Sequence, residues 1–242
     1  SLFSAFKLVG LRKVCPDIFN AIACFMSISD WIQYKFSGVC AYEHSQASET
    51  LLYDVARKNW SQELFAQFNL PTAIVPPLKE SGSILGYILP DLAVKMGINA
   101  GAKVIVGGGD TQLAIKSIAP SANDVVIVSG TTTPIIKIVE DYVLDSDRRT
   151  WTSRHVEADE FILEANAGVT GLNYQRLKEI FYPNEGYDII EKELEKVTYS
   201  QCVASLGSLI ADEDKPLTKG GFIFNAPVSH QLTRGSFVFA IL

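Results

Sequence analysis

The 242-residue sequence predicts an α/β fold. Short β-branched runs at residues 103–106 and 124–129 and at Pro134–Val139 alternate with helical segments of amphipathic spacing. Glycines bound the first of these runs, as expected where a buried strand hands over to a turn. A composition that is 48% hydrophobic and 20% charged suits a chain that builds a core, and it excludes disorder for most of the length.

The elements follow in order. Leu2, Phe6, Val9 and Lys13 stand at helical spacing, and Cys15-Pro16-Asp17 interrupts them because proline is favoured only at a helix start. A second helix is expected near Asp17 and a short strand at 24–28. Next comes a helix capped by Ser29 or Asp30, carrying Trp31, Ile32 and Phe36 and stopping at Gly38. After a polar turn and Leu51-Leu52-Tyr53, residues 61–68 read as a helix and Pro71, Pro76 and Pro77 as a loop. Residues 84–89 read as a strand, and 91–96 as a short helix ending at Gly97. Residues 103–106 read as a buried strand, with a helix after Asp110. Residues 124–129 and Pro134–Val139 have hairpin spacing across Gly130-Thr131-Thr132-Thr133, and 161–164 is a further strand. Gly171–Phe181 and 187–197 read as helices, the second with Ile190, Leu194 and Val197 on one face. Residues 222–224 and 237–241 read as closing strands. Residues 119–123 are the least element-like stretch near the middle and mark a candidate domain boundary.

Composition narrows the function classes. The net charge is −6 with no long basic block, so nothing argues for a nucleic-acid surface. No run approaches the ~18 uninterrupted apolar residues of a membrane helix, so no membrane partner is expected. Cys15, Cys24, Cys40 and Cys202 form no C-x-x-C pair and the three histidines are scattered, so no zinc site is predicted. Unpatterned cysteines fit a reducing cytoplasm. The opening on Ser1 and the apolar close suggest a piece of a larger protein.

The chemistry concentrates at Gly107-Gly108-Gly109-Asp110, where a strand delivers three glycines and then a carboxylate at a helix start. Glycines allow close backbone approach, and ligands of open α/β sheets bind beyond the carboxyl ends of strands. A simple helix cap would need none of the glycines. The segment is neither a Walker A loop nor a G-x-G-x-x-G dinucleotide turn, which argues against a nucleotide-dependent oxidoreductase. Ser129-Gly130-Thr131-Thr132 forms a turn able to aim N–H and O–H groups at an anion. Carboxylate and donors together are the minimal equipment for phosphoryl transfer to a hydroxyl. Asn166-Ala167-Gly168-Val169-Thr170-Gly171 opens a helix and offers either an anion site or close helix–strand packing.

Several segments match one family in order. Residues 45–54 with Trp60-Ser61-Gln62-Glu63-Leu64, residues 75–82, Gly108-Gly109-Asp110, Ser129-Gly130-Thr131-Thr132, and 222–235 together resemble the FGGY family of carbohydrate kinases. Ile28-Ser29-Asp30-Trp31 with Gly107-Gly108-Gly109-Asp110 leans toward the branch holding the autoinducer kinase and uncharacterised sugar kinases. The resemblance implies an actin-like (ribonuclease H-like) ATPase fold in parts of two domains. Residues 1–121 would be the later half of the sugar-binding domain, and 122–242 the first half of the nucleotide-binding domain. It implies an ATP-dependent enzyme that phosphorylates a sugar or polyol hydroxyl, with ATP and Mg2+ as cofactors and room for a homodimer. Asp110 would be the general base and lie near the metal. His44 and Thr111 would lie on the substrate side, with Thr111 departing from the usual glutamine. Gly130, Thr131, Thr132, Gly168 and Gly171 would contact ATP. The family's D-x-G-T and adenine motifs are absent from these 242 residues, so little kinase activity is expected of them alone. A rival reading is a non-catalytic scaffold on the same fold.

Overall fold

The computed structural model describes residues 3–121, 124–166, 168–199, 202–206, 220–224 and 232–242. Their chain is mixed α/β and divides into two compact units. One comprises Ser1–Val126 with Lys137–Glu164, the other Ile127–Ile136 with Ala165–Leu242. This partition is interleaved, whereas the family resemblance assigns its two half-domains by a single cut between 121 and 122.

The first unit begins with helices α1 (Ser4–Val14) and α2 (Pro16–Asn20), the latter with its proline at the first turn. Helix α3 (Ile28–Ser37) ends at Gly38 in the left-handed region, φ 74°. Residues 24–27 are not the expected strand. The Phe25 N–H makes a single bond to Ile74 O, and the cap falls on Ser27, whose Oγ accepts from Asp30 N–H at 3.1 Å. Strand β1 (Tyr42–Glu43) runs into helix α4 (His44–Ser48), where a polar turn was expected. Strands β2 (Tyr53–Asp54) and β3 (Asn59–Trp60) pair antiparallel, and helix α5 (Gln62–Gln67) starts at Ser61, whose Oγ accepts from Leu64 N–H. β4 (Leu78–Lys79) pairs parallel with β1.

β5 (Ile84–Tyr87) and β6 (Lys103–Ile105) flank helix α6 (Pro90–Met96) and pair antiparallel. β6 is not the buried strand expected: among the described residues β5 is its one partner in the sheet, and Ile105 is 46% exposed. Helix α7 (Asp110–Ile118) follows. The core joins Ala5 and Leu8 of α1, Phe19 of α2, Leu52, Phe65, Leu70 and Ile74. Each buried leucine, isoleucine or phenylalanine contributes about 1.5–3 kcal/mol. Tyr42, Ala47 and Tyr53 form an adjoining cluster on which Trp60 packs edge-on.

A four-stranded sheet has the order β7 (Val126–Ile127), β8 (Pro134–Val139), β10 (Phe161–Asn166), β9 (Trp151–Arg154). β9 was not anticipated; it pairs antiparallel with β10, Phe161 opposite Arg154.

The second unit carries helices α8 (Gly171–Phe181) and α9 (Tyr187–Leu194), the hairpin β11 (Cys202–Ser205) with β12 (Gly221–Phe224), and helix α10 (Arg234–Phe239). The closing segment is therefore helical, not a strand. Thr233 and Ser236 form a reciprocal capping box, and Val238 is fully buried with Tyr182 and Ile190. Cap and packing override the β-branched, aromatic composition of that segment. Among the described residues no helix is long and apolar enough to cross a membrane.

Candidate active site

In the first unit, α4 packs beside the loop that precedes α7. Three side chains hold that loop. Gln33 Oε1 accepts from Gly107 N–H at 3.2 Å, Gln46 Nε2 donates to Gly108 O at 3.1 Å, and Ser45 Oγ accepts from Gly109 N–H at 2.8 Å. The glycines thus give close approach to protein. A Cβ on Gly108 would stand 2.5 Å from Val156 Cγ1.

Asp110 is the first residue of α7 and makes no cap; Gly109 occupies the cap position. Asp110 is exposed, and its Oδ1 accepts from Thr111 N–H at 2.7 Å and lies 3.4 Å from Thr111 Oγ1. Among the described residues Oδ2 has no hydrogen-bond partner, so one face of the carboxylate is open. Thr111 therefore sits at the carboxylate, while its neighbour Gln112 is buried.

His44 starts α4, one residue before Ser45. It is buried, its Nδ1 2.7 Å from Tyr53 Oη and its Nε2 3.3 Å from Glu80 Oε1. Burial holds its pKa below the usual imidazole value against the opposing pull of Glu80, with Arg154 and Lys58 adding to the depression. Burial likewise pushes the Tyr53 phenol up. Arg154, fully buried, reaches Glu80 Oε2 at 3.9 Å and donates to the carbonyls of Glu160 (3.2 Å) and Ala158 (2.5 Å). That ties the turn at 155–160 together. Gln33, Glu43, Ser45, Gln46, Arg154 and Val156 are the parts that pattern reading missed. Gln33, Ser45, Gln46 and Val156 reach the loop from distant sequence positions, and Glu43 and Arg154 support the site through isolated polar contacts, so none leaves a periodic signal.

In the second unit, Gly130, Thr131 and Thr132 meet the start of α8. Gly171 N–H donates to Gly130 O at 3.1 Å, Leu172 N–H to Thr131 O at 3.5 Å, and Thr133 N–H to Gly168 O at 3.1 Å. The Thr133 and Thr170 hydroxyls bond each other. Gly168 takes φ 84°, a conformation costly for other residues. Thus the five expected nucleotide residues are brought together, but the first N–H groups of α8 bond the turn's carbonyls. Ala167 lies outside the described residues.

Residues 1–116 match the N-terminal domain of the FGGY family of carbohydrate kinases. Over its full length the chain is 48% identical to the Bacillus subtilis protein named "Putative sugar kinase YoaC", of which it covers 50%. Residues 1–116 thus belong to the FGGY family of carbohydrate kinases. The chain is also 28% identical to xylulose kinase of Bacillus subtilis over 81% of its residues (39% of that protein). To autoinducer-2 kinase of Photorhabdus laumondii it is 29% identical over 80% (36% of that protein). It spans half or less of the length of these curated relatives. Among solved structures, xylulose kinase from Rhodospirillum rubrum superposes with TM-score 0.82 at 22% identity, and Plasmodium falciparum glycerol kinase with ADP with 0.81 at 18%. Each match covers 99% of this chain and 49% of the other. The fold is therefore the actin-like α/β fold of FGGY kinases.

Proposed function

We propose that this FGGY chain is part of an ATP-dependent kinase that transfers the γ-phosphoryl group to a hydroxyl of a sugar or polyol. Residues 1–121 belong in this reading to the sugar-binding domain and 122–242 to the nucleotide-binding domain. The observation that carries it is Asp110: an exposed carboxylate at a helix start, on a loop held by three side chains. A general base needs that combination of access and fixed position.

Asp110 takes the proton as the hydroxyl oxygen attacks phosphorus, the bond to the bridging oxygen breaks, and ADP leaves. Thr111 and His44 line the substrate side. Gly130, Thr131 and Thr132 hold phosphate oxygens, while Gly168 and Gly171 let α8 close on that turn. When bound, a magnesium ion would supply charge neutralisation at the phosphates, and such sites take one or two carboxylates plus the phosphates themselves. Asp110, exposed and with Oδ2 free of hydrogen bonds among the described residues, would be the carboxylate that holds it.

The test is the full-length protein assayed with ATP and a panel of polyols, ketopentoses, deoxyketoses, gluconate and autoinducer. Sugar-dependent ADP release is expected for at least one compound. Release with none of them, in protein that binds ATP, would point to the scaffold reading.

A further inference from the structure

We propose that Glu43 and Ser45 are positioning residues for Asp110, an inference that rests on reading Asp110 as the proton acceptor. Ser45 is fully buried and Glu43 is 1% exposed. The Ser45 hydroxyl has one proton, and it goes to Glu43 Oε2 at 2.5 Å. Its lone pairs are thereby turned to Gly109 N–H, which they accept at 2.8 Å. Glu43 Oε2 is itself fixed, since it accepts Gln46 N–H at 3.0 Å as the cap of α4. A line of hydrogen bonds therefore runs from a buried carboxylate to the N–H of Gly109, the residue before Asp110.

Capping alone does not explain this arrangement. Serine, threonine, aspartate or asparagine caps a helix better than glutamate. The glutamate also leaves Oε1 buried without a partner, and burial raises the pKa of its carboxyl. Such a group costs stability, and a positioning role accounts for its presence. The other two loop contacts, Gln33 to Gly107 and Gln46 to Gly108, would survive loss of Ser45. What would be lost is the hold on the N–H side of the Gly108–Gly109 peptide, the side nearer the carboxylate; Gln46 keeps its carbonyl side, and Leu113 N–H keeps Gly109 O. Misplacement of a reacting group by ~1 Å costs up to about 100-fold in rate.

The experiment uses the full-length kinase and its best substrate. Ser45→Ala is expected to lower kcat about 10–100-fold with the KM for ATP unchanged within about twofold. Glu43→Gln, which keeps the volume and an acceptor, is expected to give a smaller loss in the same direction. Asp110→Asn removes the base, and adding Ser45→Ala to it should slow the residual rate no further. The proposal is overturned if Asp110→Asn is inactive while Ser45→Ala and Glu43→Gln both stay within twofold of wild type. It is also overturned if the losses from Asp110→Asn and Ser45→Ala multiply in the double variant. If Asp110→Asn keeps wild-type activity, the reading of Asp110 falls, and this inference with it.

Discussion

The carbonyl oxygen of Gly130 accepts the N–H of Gly171 at 3.1 Å, and a Cβ on Gly171 would stand 2.1 Å from that same oxygen. The obstacle is backbone, so no side-chain rotation relieves it. Gly171→Ala should therefore push the start of α8 off the Gly130–Thr132 turn and destabilise the protein by about 1–3 kcal/mol in denaturant unfolding. In the proposed role of that turn, ATP affinity should fall at least about tenfold, equal to about 1.4 kcal/mol. Unchanged ATP binding in Gly171→Ala would count against the turn as a phosphate holder.

Gly108 meets a different kind of obstacle. A Cβ there would touch Val156 Cγ1 at 2.5 Å, a side-chain methyl rather than backbone. Gly108→Ala should cost about 1–3 kcal/mol through overpacking. Val156→Ala in the same background should recover part of it, so the two changes should be non-additive in a double-mutant cycle. Strict additivity would show that loop and turn do not meet as described.

His155 gives a pH signature. It is 2% exposed, and its pKa is pushed down to about 4 by burial, with Lys116 and Arg154 adding to the effect. The depression prevails although Glu160 lies 3.7 Å from Nε2. The unfolded chain takes up this proton near pH 6.5 while the folded chain stays neutral, so stability is complete above about pH 6.5 and falls as pH drops toward 4. The loss is on the order of 3 kcal/mol. His155→Gln should flatten the pH 4–6.5 limb of the unfolding curve; an unchanged slope would contradict a neutral buried His155.

Arg234 ties three elements of the second unit. It bonds Glu185 at 2.7 Å and Glu193 at 2.6 Å, donates to Phe181 O at 3.2 Å, and stacks on Tyr182. Hydrogen bonds from Arg234 hold the Glu193 carboxyl below its usual range. A planar fork is needed to serve both carboxylates. Melting temperature should therefore rank wild type above Arg234→Lys above Arg234→Ala. Lysine equal to wild type would mean that charge alone is enough.

What the sequence revealed and concealed follows from the range of the forces involved. Helices α1, α5, α6 and α8 were legible because proline, serine and glycine act within one turn of the helix they start or stop. The Gly108-Gly109-Asp110 motif was legible because its residues are adjacent. Helix α10 was misread as a strand: Phe237, Val238 and Phe239 have strand composition, and the deciding influences were the Thr233–Ser236 box and the burial of Val238 against Tyr182 and Ile190. The contacts of Ser45 and Gln46 with the glycine loop span more than sixty residues. They come into being only when β1 and β6 are in place. The role of the glycines changed for the same reason: adjacency suggested a ligand cradle, and long-range contacts show a loop fitted to Val156, Ser45 and Gln46.

The central claim is that Asp110 accepts the proton of a sugar hydroxyl. The most direct measurement is ADP release by full-length Asp110→Asn, with its best wild-type substrate, alongside ATP affinity by calorimetry. The account predicts a loss of at least about 1000-fold in kcat, equal to about 4 kcal/mol of transition-state stabilisation, with ATP affinity retained. Near-wild-type turnover in Asp110→Asn would contradict it.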